Sequence, residues 1–312
     1  MDEQEAAGEA SVNGNDDSVV RVMNVGDSIT LGVDFYSNSV PGGYRIKEAE
    51  ELKRAHETGR AKNVTFVGPF EGPKGYFHCG YNAAMIEGMA RNVYSDVLNS
   101  KPNIVTLQAG TNDFFFPSPR GTDAAGALER LKVWVLNAFK AAKDASIDPF
   151  HIAISATTTI NATKCATYHL APWKPPDCPD EMPQDISAFS MLLKTYVAET
   201  NDEKGFAALS FHDPNAAVNG GKGFLESDYS KWGIHFSNTG YPKLGVLWAK
   251  HLAQLDAIKT ESTSTPAPSP SSAPSFSPTT TASPTKSKGA RIAAPHRAPV
   301  SLLAAATLVL LR

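Results

Sequence analysis

Five short apolar runs, separated by stretches with helical periodicity, are the feature that most restricts the fold of this chain. The runs are rich in β-branched residues and nearly continuous in apolarity, as is typical of parallel strands buried on both faces. They lie at Val19–Val25, Val64–Val67, Ile104–Gln108, His151–Ser155 and Ala207–Phe211. The helical patterns lie at Tyr44–Thr58, Ala83–Leu98, Ala124–Ala145, Ile186–Thr200 and Pro242–Ile258. The alternation predicts a three-layer α/β/α, doubly wound domain with a five-stranded parallel sheet in the flavodoxin-like order 2-1-3-4-5.

Composition divides the chain into four segments. The 312 residues carry 29 Lys and Arg against 32 Asp and Glu, so there is no basic excess for binding nucleic acid through phosphates. Residues 1–18 are acidic and polar, which predicts disorder, and residues 19–259 are the predicted folded domain. Residues 260–298 are a low-complexity segment rich in Ser, Thr and Pro, as in an O-glycosylated stalk. Residues 299–312 form an apolar tail.

The tail and two sequons favour an extracellular or cell-surface location. The tail is shorter than the roughly 20 residues that a membrane span needs, but it resembles the cleaved part of a GPI-anchor signal. Asn63-Val64-Thr65 and Asn161-Ala162-Thr163 are potential N-glycosylation sites. Residues 1–18 lack the apolar core of a signal peptide, so a cytoplasmic protein with a low-complexity tail is the alternative. The oligomeric state is left open.

The three cysteines do not form a metal motif. Cys165 and Cys178 bracket a proline-rich loop and can pair in a secreted protein, which would leave Cys79 free. Three reduced thiols are the alternative. Because no C-x-x-C motif or His/Cys cluster is present, we expect neither a bound metal nor a cofactor.

Polar motifs follow neighbouring strands at one edge of the predicted sheet. Gly26-Asp27-Ser28-Ile29-Thr30 follows the first strand and Gly110-Thr111-Asn112-Asp113 follows the third. Ligands of open parallel sheets bind beyond the carboxyl ends of the strands, so the two motifs are expected to face one crevice. His235, just before the last helix, is predicted to reach the same edge.

These residue types suit nucleophilic ester hydrolysis. A serine hydroxyl is a poor nucleophile near neutral pH, and a histidine can take its proton and return it to the leaving group. The resulting oxyanion needs fixed hydrogen-bond donors. Ser28 is the predicted nucleophile, His235 the predicted base, and the Ser28 amide, the Gly80 amide and the Asn112 side chain the predicted oxyanion hole. Taken singly, each residue also has a purely structural explanation, such as a helix cap for Ser28.

The motifs together resemble the SGNH hydrolases, also called the GDSL-like esterase superfamily, over about Val22 to Ala253. The resemblance implies the nucleophile, oxyanion and base positions just given for Ser28, Asn112 and His235. The second block, His78-Cys79-Gly80-Tyr81, is weaker, and Ala83 stands where its usual second glycine would be. The matching segments are Gly26–Thr30, His78–Tyr81, Gly110–Asp113 and Ile234–His235 with Gly240–Tyr241. Gly42-Gly43-Tyr44-Arg45 followed by Phe66-Val67-Gly68 resembles the branch that contains carbohydrate esterase family 3.

One position departs from the family pattern. The family usually has Asp three residues before the histidine, and this chain has Trp232 there. Indole is a donor only and cannot accept a hydrogen bond from imidazole Nδ1–H. Three possibilities stay open: the backbone carbonyl of Trp232 orients His235, Asp228 does so from further upstream, or the site is inactive.

Several aromatic residues are predicted to surround the crevice. Phe114 and Phe115, from the run Phe114–Phe116, and Trp173, from the long insertion Cys165–Gln184, are the predicted substrate-binding residues. The segment Phe35–Tyr44 is a predicted wall. Asp27 and Asp113 are expected to stabilise turns rather than take part in chemistry.

The resulting hypothesis is a serine esterase that acts through an acyl-enzyme and deacetylates a cell-wall polysaccharide such as xylan. A lysophospholipase or short-chain acyl esterase is the enzymatic alternative. A non-catalytic surface carbohydrate-binding module with a degenerate triad is an alternative of another class. A flavodoxin-like nucleotide binder is disfavoured, because no G-x-G-x-x-G follows the first strand.

Overall fold

A computed structural model describes residues 19–32, 42–115, 123–167, 181–204 and 208–260. Its centre is a sheet in which five parallel strands have the order β2-β1-β5-β6-β7. An antiparallel hairpin, β3–β4, extends the sheet, and β4 pairs in parallel with the end of β1. The strands are β1 (Val19–Gly26), β2 (Asn63–Phe66), β3 (Phe70–Glu71), β4 (Phe77–Gly80), β5 (Ile104–Gln108), β6 (His151–Ser155) and β7 (Leu209–His212).

Helices cover both faces of the sheet. On one face α3, α5 and α7 pack in a row, and on the other α2 packs against α9. Short helical turns occupy the carboxyl edge. The helices are α1 (Ser28–Leu31), α2 (Tyr44–Glu57), α3 (Ile86–Ser100), α4 (Thr111–Phe115), α5 (Ala124–Asp144), α6 (Ala162–Thr167), α7 (Met182–Lys204), α8 (Pro214–Ala217) and α9 (Gly240–Leu252).

Alternating side chains of the strands build two separate hydrophobic cores. In β1, Met23 and Val25 belong to the core beneath α3, α5 and α7, whereas Val20 and Val22 belong to the core beneath α2 and α9. Each core contains one fully buried tryptophan, Trp134 in the first and Trp248 in the second. A strand buried on both faces needs apolar residues at consecutive positions, which explains the continuous apolar runs in the sequence.

The predicted α/β/α architecture and the order of the five parallel strands are confirmed. The β3–β4 hairpin is missing from the prediction, because its strands are two and four residues long and carry no periodic apolar signal. The turn between them contains Gly72, Pro73 and Gly75, which are the residues that could have indicated it.

Among the described residues, one cysteine is disulfide-bonded and one is a free thiol. Cys165 is disulfide-bonded and Cys79 is free and buried. Cys178 lies outside the described residues, as do residues 1–18 and 261–312 with the predicted stalk and tail. None of the described helices is both long enough and apolar enough to cross a membrane.

Candidate active site

Ser28 lies at the carboxyl end of β1, on the first turn of α1. The Asp27 carboxylate caps this helix by accepting a hydrogen bond from the Ile29 amide at 2.9 Å. A Cβ on Gly26 would lie 2.3 Å from the Gln108 carbonyl oxygen, so the neighbouring strand leaves room only for glycine. The tight strand-to-helix turn therefore directs the buried Ser28 hydroxyl to the edge of the sheet.

The hydroxyl of Ser28 and the imidazole of His235 meet at this edge. Ser28 Oγ lies 2.8 Å from His235 Nε2, although 207 residues separate them along the chain. Both side chains are about 95% buried, and a water-poor environment strengthens the hydrogen bond between them. This geometry is that of a nucleophile with an adjacent general base.

The backbone of His235 is held by a small loop between α8 and α9. The Ser230 amide donates to the His235 carbonyl at 2.8 Å, and Tyr229 forms a β-bridge with Phe236. The ring of Trp232 lies 6.2 Å from the imidazole, centroid to centroid. The loop thus fixes where the imidazole is presented. That the Trp232 carbonyl orients His235 stays a prediction.

Asp228 does not take the place of the missing acid. Both of its carboxylate oxygens accept from Lys243 Nζ, at 2.7 and 2.9 Å, and one also accepts from the Leu225 amide at 2.9 Å. A further bond of 3.3 Å comes from the Thr239 hydroxyl. The carboxylate therefore points to α9 and not to the imidazole. Burial raises the pKa of Asp228, but the hydrogen bonds from Lys243 and Leu225 outweigh this effect, and the net pKa lies below its ordinary value.

We expect Asp228→Asn to lower kcat/KM by about tenfold only. The loss of a true triad acid costs about ten-thousandfold. The Asp228 carboxylate binds Leu225 and Thr239 in the loop and Lys243 on α9, so we expect its removal to loosen the loop that carries His235. The free energy of unfolding should fall by about 2 kcal/mol, because the partly exposed Lys243 ammonium loses its partner. Steady-state kinetics and urea denaturation measure the two quantities.

Lys243→Met is the matched control for that variant. It removes the same ion pair by replacing the basic partner, so it should reproduce the kinetic effect of Asp228→Asn. A thousandfold or larger loss in Asp228→Asn, with Lys243→Met close to the parent, would instead identify Asp228 as the orienting acid.

The predicted oxyanion role of Gly80 is wrong in this structure. Its amide already donates to His78 Nδ1 at 3.0 Å, and it lies on β4 paired with Gly26. A Cβ on Gly80 would come within 2.7 Å of the Leu31 amide nitrogen, which shows how closely β4 approaches the serine helix. Gly80 is thus required for packing and does not offer a free donor.

The turn Tyr81–Ala84 offers a donor instead. Asn112 Nδ2 donates to the Ala84 carbonyl at 3.0 Å, so the Asn112 amide borders this turn. Ala83 is exposed and adopts a left-handed conformation with φ 53°, which costs a non-glycine residue roughly 1–2 kcal/mol. Within the described part of the chain, no acceptor takes the Ala83 N–H. The sequence contained a signal for this donor, because Ala83 occupies the position at which the family's second block usually has its second glycine.

Two buried carboxyl groups support the site without touching the serine. Asp113 accepts from the Ile86 amide at 3.0 Å and from Arg130 Nε at 3.1 Å, and so joins α4 to α3 and α5. Burial, with a smaller contribution from the charge of Asp113, raises the pKa of Asp27 to about 7. Both side chains hold backbone turns, as the sequence predicts, and Asp113 does so across three helices.

The predicted substrate contacts of Phe114 and Phe115 are wrong. Both side chains are buried in the core, and the ring of Phe114 packs edge to face on Phe189 of α7 at 5.5 Å. Because α4 is helical, its aromatic side chains turn inward onto α7 instead of lining the crevice. Phe116, Trp173 and the wall 35–41 lie outside the described residues.

A buried polar network underlies the serine helix. Asn24 accepts from Thr106 Oγ1 at 2.8 Å and donates to Glu48 at 2.7 Å. The Arg45 guanidinium, also buried, donates from Nε to the Thr30 carbonyl at 2.8 Å. Burial raises the pKa of Glu48 to about 8, so the group is largely protonated at neutral pH. Sequence reasoning missed this network, because its members are scattered over β1, α2 and β5.

The comparisons with known proteins agree with this arrangement. The sequence matches the family described as GDSL-like lipase/acylhydrolase over residues 22–248. No curated protein matches the chain in sequence. Similar solved structures include a carbohydrate esterase family 3 protein from Talaromyces cellulolyticus, with a TM-score of 0.55 and 18% identity over 75% of this chain and 97% of that one.

Two further structures have the same fold. A family 3 carbohydrate esterase from Clostridium thermocellum has a TM-score of 0.51 and 20% identity, covering 75% of this chain and 99% of that one. An acetyl esterase crystallised with acetate ion has a TM-score of 0.54 and 18% identity, covering 75% and 97%. At these identities the likeness establishes the fold alone.

Proposed function

Because the chain belongs to the GDSL-like lipase/acylhydrolase family and is a carboxylic ester hydrolase, we propose that it removes acetyl groups from a cell-wall polysaccharide such as xylan. The observation that carries the catalytic part of this proposal is the 2.8 Å contact between Ser28 Oγ and His235 Nε2. The substrate part is supported by the fold shared with two family 3 carbohydrate esterases and an acetyl esterase.

The reaction proceeds in two halves on the residues at the edge of the sheet. Ser28 Oγ attacks the ester carbonyl carbon while His235 Nε2 takes the hydroxyl proton, and the oxyanion is held by the Ser28 amide, the Ala83 amide and the Asn112 side chain. As the tetrahedral intermediate collapses, the bond between the carbonyl carbon and the sugar oxygen breaks and His235 protonates that oxygen, so the sugar departs with a free hydroxyl and acetyl-Ser28 remains. Water, deprotonated by the same imidazole, attacks the acetyl group and releases acetate and the free serine.

A Trp in place of the usual Asp affects the rate more than the course of this reaction. A neutral acceptor on Nδ1 still selects the tautomer that leaves Nε2 free to take the proton. It stabilises the imidazolium less than a carboxylate does, by about 1–3 kcal/mol, judged from charged against neutral hydrogen bonds. We expect a slower enzyme than one with a complete triad.

A panel of esters run on the full chain tests the substrate class. We expect acetate release from acetylated xylan at a kcat/KM at least about tenfold above that for lysophosphatidylcholine and for p-nitrophenyl octanoate. Acetate measured by an enzyme-coupled assay and fatty acid measured by titration give the two rates. Faster hydrolysis of the lipid ester would favour the lysophospholipase alternative, and no hydrolysis of any ester above the Ser28→Ala background would favour a binding module.

The same proposal includes an extracellular or cell-surface location. It is supported by the disulfide at Cys165, because disulfides persist in oxidising compartments, and by the exposed sequon residue Asn63 at the start of β2. The Ser/Thr/Pro-rich segment 260–298 and the apolar tail 299–312 fit a stalk and a GPI-anchor signal. Release of the protein from cells by a phosphatidylinositol-specific phospholipase would support the anchor.

A further inference from the structure

The β3–β4 hairpin carries two phenylalanines that are equally exposed but differently placed. Phe70 and Phe77 each have 40% of their surface exposed. In the antiparallel register Phe70 lies opposite His78, whereas Phe77 lies opposite Glu71. Residues that face each other across a pair of strands share one face of it, so the two phenylalanines lie on opposite faces of the hairpin.

Among the described residues, Phe70 is part of an aromatic cluster and Phe77 is not. Its ring lies 5.3 Å from that of Tyr81 in an edge-to-face arrangement and 5.7 Å from that of His78. Single exposed apolar residues are common on protein surfaces, but an exposed ring that is fixed by two other rings forms a preorganised surface.

Tyr81 is itself anchored from below. Its hydroxyl donates to the buried carboxylate of Asp96 on α3 at 2.7 Å, and the Cys79 thiol donates to the same oxygen at 3.1 Å. The ring of Tyr81 therefore has a fixed position, which in turn limits the positions that Phe70 can take. Little conformational entropy is left to lose when a ligand binds on these rings.

Tyr81 connects the cluster to the reaction centre through its backbone. The Tyr81 amide donates to the Gly26 carbonyl at 2.8 Å, two residues before the nucleophile. Tyr81 also begins the turn that ends at Ala84, whose carbonyl accepts from the oxyanion residue Asn112. The backbone of Tyr81 is thus hydrogen-bonded to the end of the strand that leads to Ser28, and it begins the turn that contains Ala83.

We infer that Phe70 and Tyr81 form a platform for the sugar ring that carries the acetyl group, with the apolar C–H face of a pyranose lying on the exposed ring of Phe70. The inference rests on the proposed polysaccharide deacetylase function. The partly exposed ring of Phe70, held edge to face by Tyr81, suits a sugar ring with one apolar face and a polar rim. An acyl chain would require an enclosed apolar pocket to gain comparable burial.

The test compares Phe70→Ala with Phe77→Ala in the full chain on esters that differ in one part only. Acetylated xylotriose has the sugar leaving group, ethyl acetate has a minimal leaving group, and ethyl butyrate has a longer acyl chain. We expect Phe70→Ala to lower kcat/KM for acetylated xylotriose about tenfold, mostly through KM, because an aromatic contact is lost. The kcat/KM of Phe70→Ala for both ethyl esters should stay within twofold of the parent value. Phe70→Trp should retain activity on the sugar ester.

Phe77→Ala removes an equally exposed ring from the same hairpin. It should change kcat/KM by no more than twofold for any of the three substrates. Equal losses in Phe70→Ala and Phe77→Ala, or a loss in Phe70→Ala confined to ethyl butyrate, would overturn the platform while leaving the enzyme a polysaccharide deacetylase. Parent enzyme that hydrolyses the ethyl esters but not acetylated xylotriose would overturn the proposed substrate and the platform together.

Discussion

Ser28→Ala is expected to lower kcat on any ester substrate by at least about ten-thousandfold, with the melting temperature within a few degrees of the parent. The alanine lacks the hydroxyl oxygen that forms the acyl-enzyme, and it is only one atom smaller than the buried serine. His235→Ala should cause a loss of similar size, because without the imidazole at 2.8 Å the hydroxyl keeps its proton. Burst and steady-state kinetics on acetylated xylotriose measure these losses.

The double variant Ser28→Ala/His235→Ala is the control that separates a catalytic unit from two independent effects. Groups that act as a unit are strongly non-additive, so the double variant should be no slower than Ser28→Ala alone. Parent-like turnover in Ser28→Ala would show that the hydrolysis takes place elsewhere or belongs to a contaminant, and the assignment of the site would fail.

Glu48→Gln is expected to make the protein more stable than the parent at alkaline pH, with a difference that grows as the pH rises. Burial raises the pKa of Glu48 from 4.5 to about 8 in the folded state. The folded protein therefore holds a proton that the unfolded chain releases above about pH 4.5. The contribution of Glu48 to the stability of the parent is therefore fully present below pH 4.5 and is lost as the pH rises toward 8.

The size of this effect follows from the shift in pKa. Between pH 4.5 and pH 8 the stability difference between Glu48→Gln and the parent should grow by on the order of 4 kcal/mol, since one pKa unit corresponds to about 1.4 kcal/mol. Urea denaturation at several pH values measures the free energy of unfolding. A difference that stays constant with pH would show that Glu48 is ionised in the folded protein at neutral pH.

Glu51→Gln, on the same helix, is the matched control, because the pKa of Glu51 is shifted in the opposite direction. A hydrogen bond from Lys47, 2.9 Å away, lowers the pKa of Glu51. Its contribution to stability is present above the ordinary pKa of a glutamate and is lost as the pH falls. This variant should therefore be slightly less stable than the parent at neutral pH, and the difference should shrink under acid conditions.

Much of the fold was predictable because its signals are local. The apolar runs of β1, β5 and β6 and the helical periods of α2 and α5 each arise from neighbouring residues in the sequence. The position of Ser28 was predictable for the same reason, since a buried strand, a glycine and a capping aspartate adjoin one another. The two-residue strand β3 had no such local signal, and it was missed.

The sequence by itself indicated the parallel sheet and the sheet edge that carries Ser28, Asn112 and His235, because hydrophobic periodicity and turn residues are local signals. The strand order was inferred from the doubly wound topology that such an alternation fits. Only the tertiary structure decided where individual side chains point. Lys243 on α9 draws the Asp228 carboxylate away from the imidazole, His78 occupies the Gly80 amide, and Phe189 on α7 draws Phe114 into the core. Each outcome depends on which charge, acceptor or ring the fold brings within contact distance, and that choice is made by residues far apart along the chain.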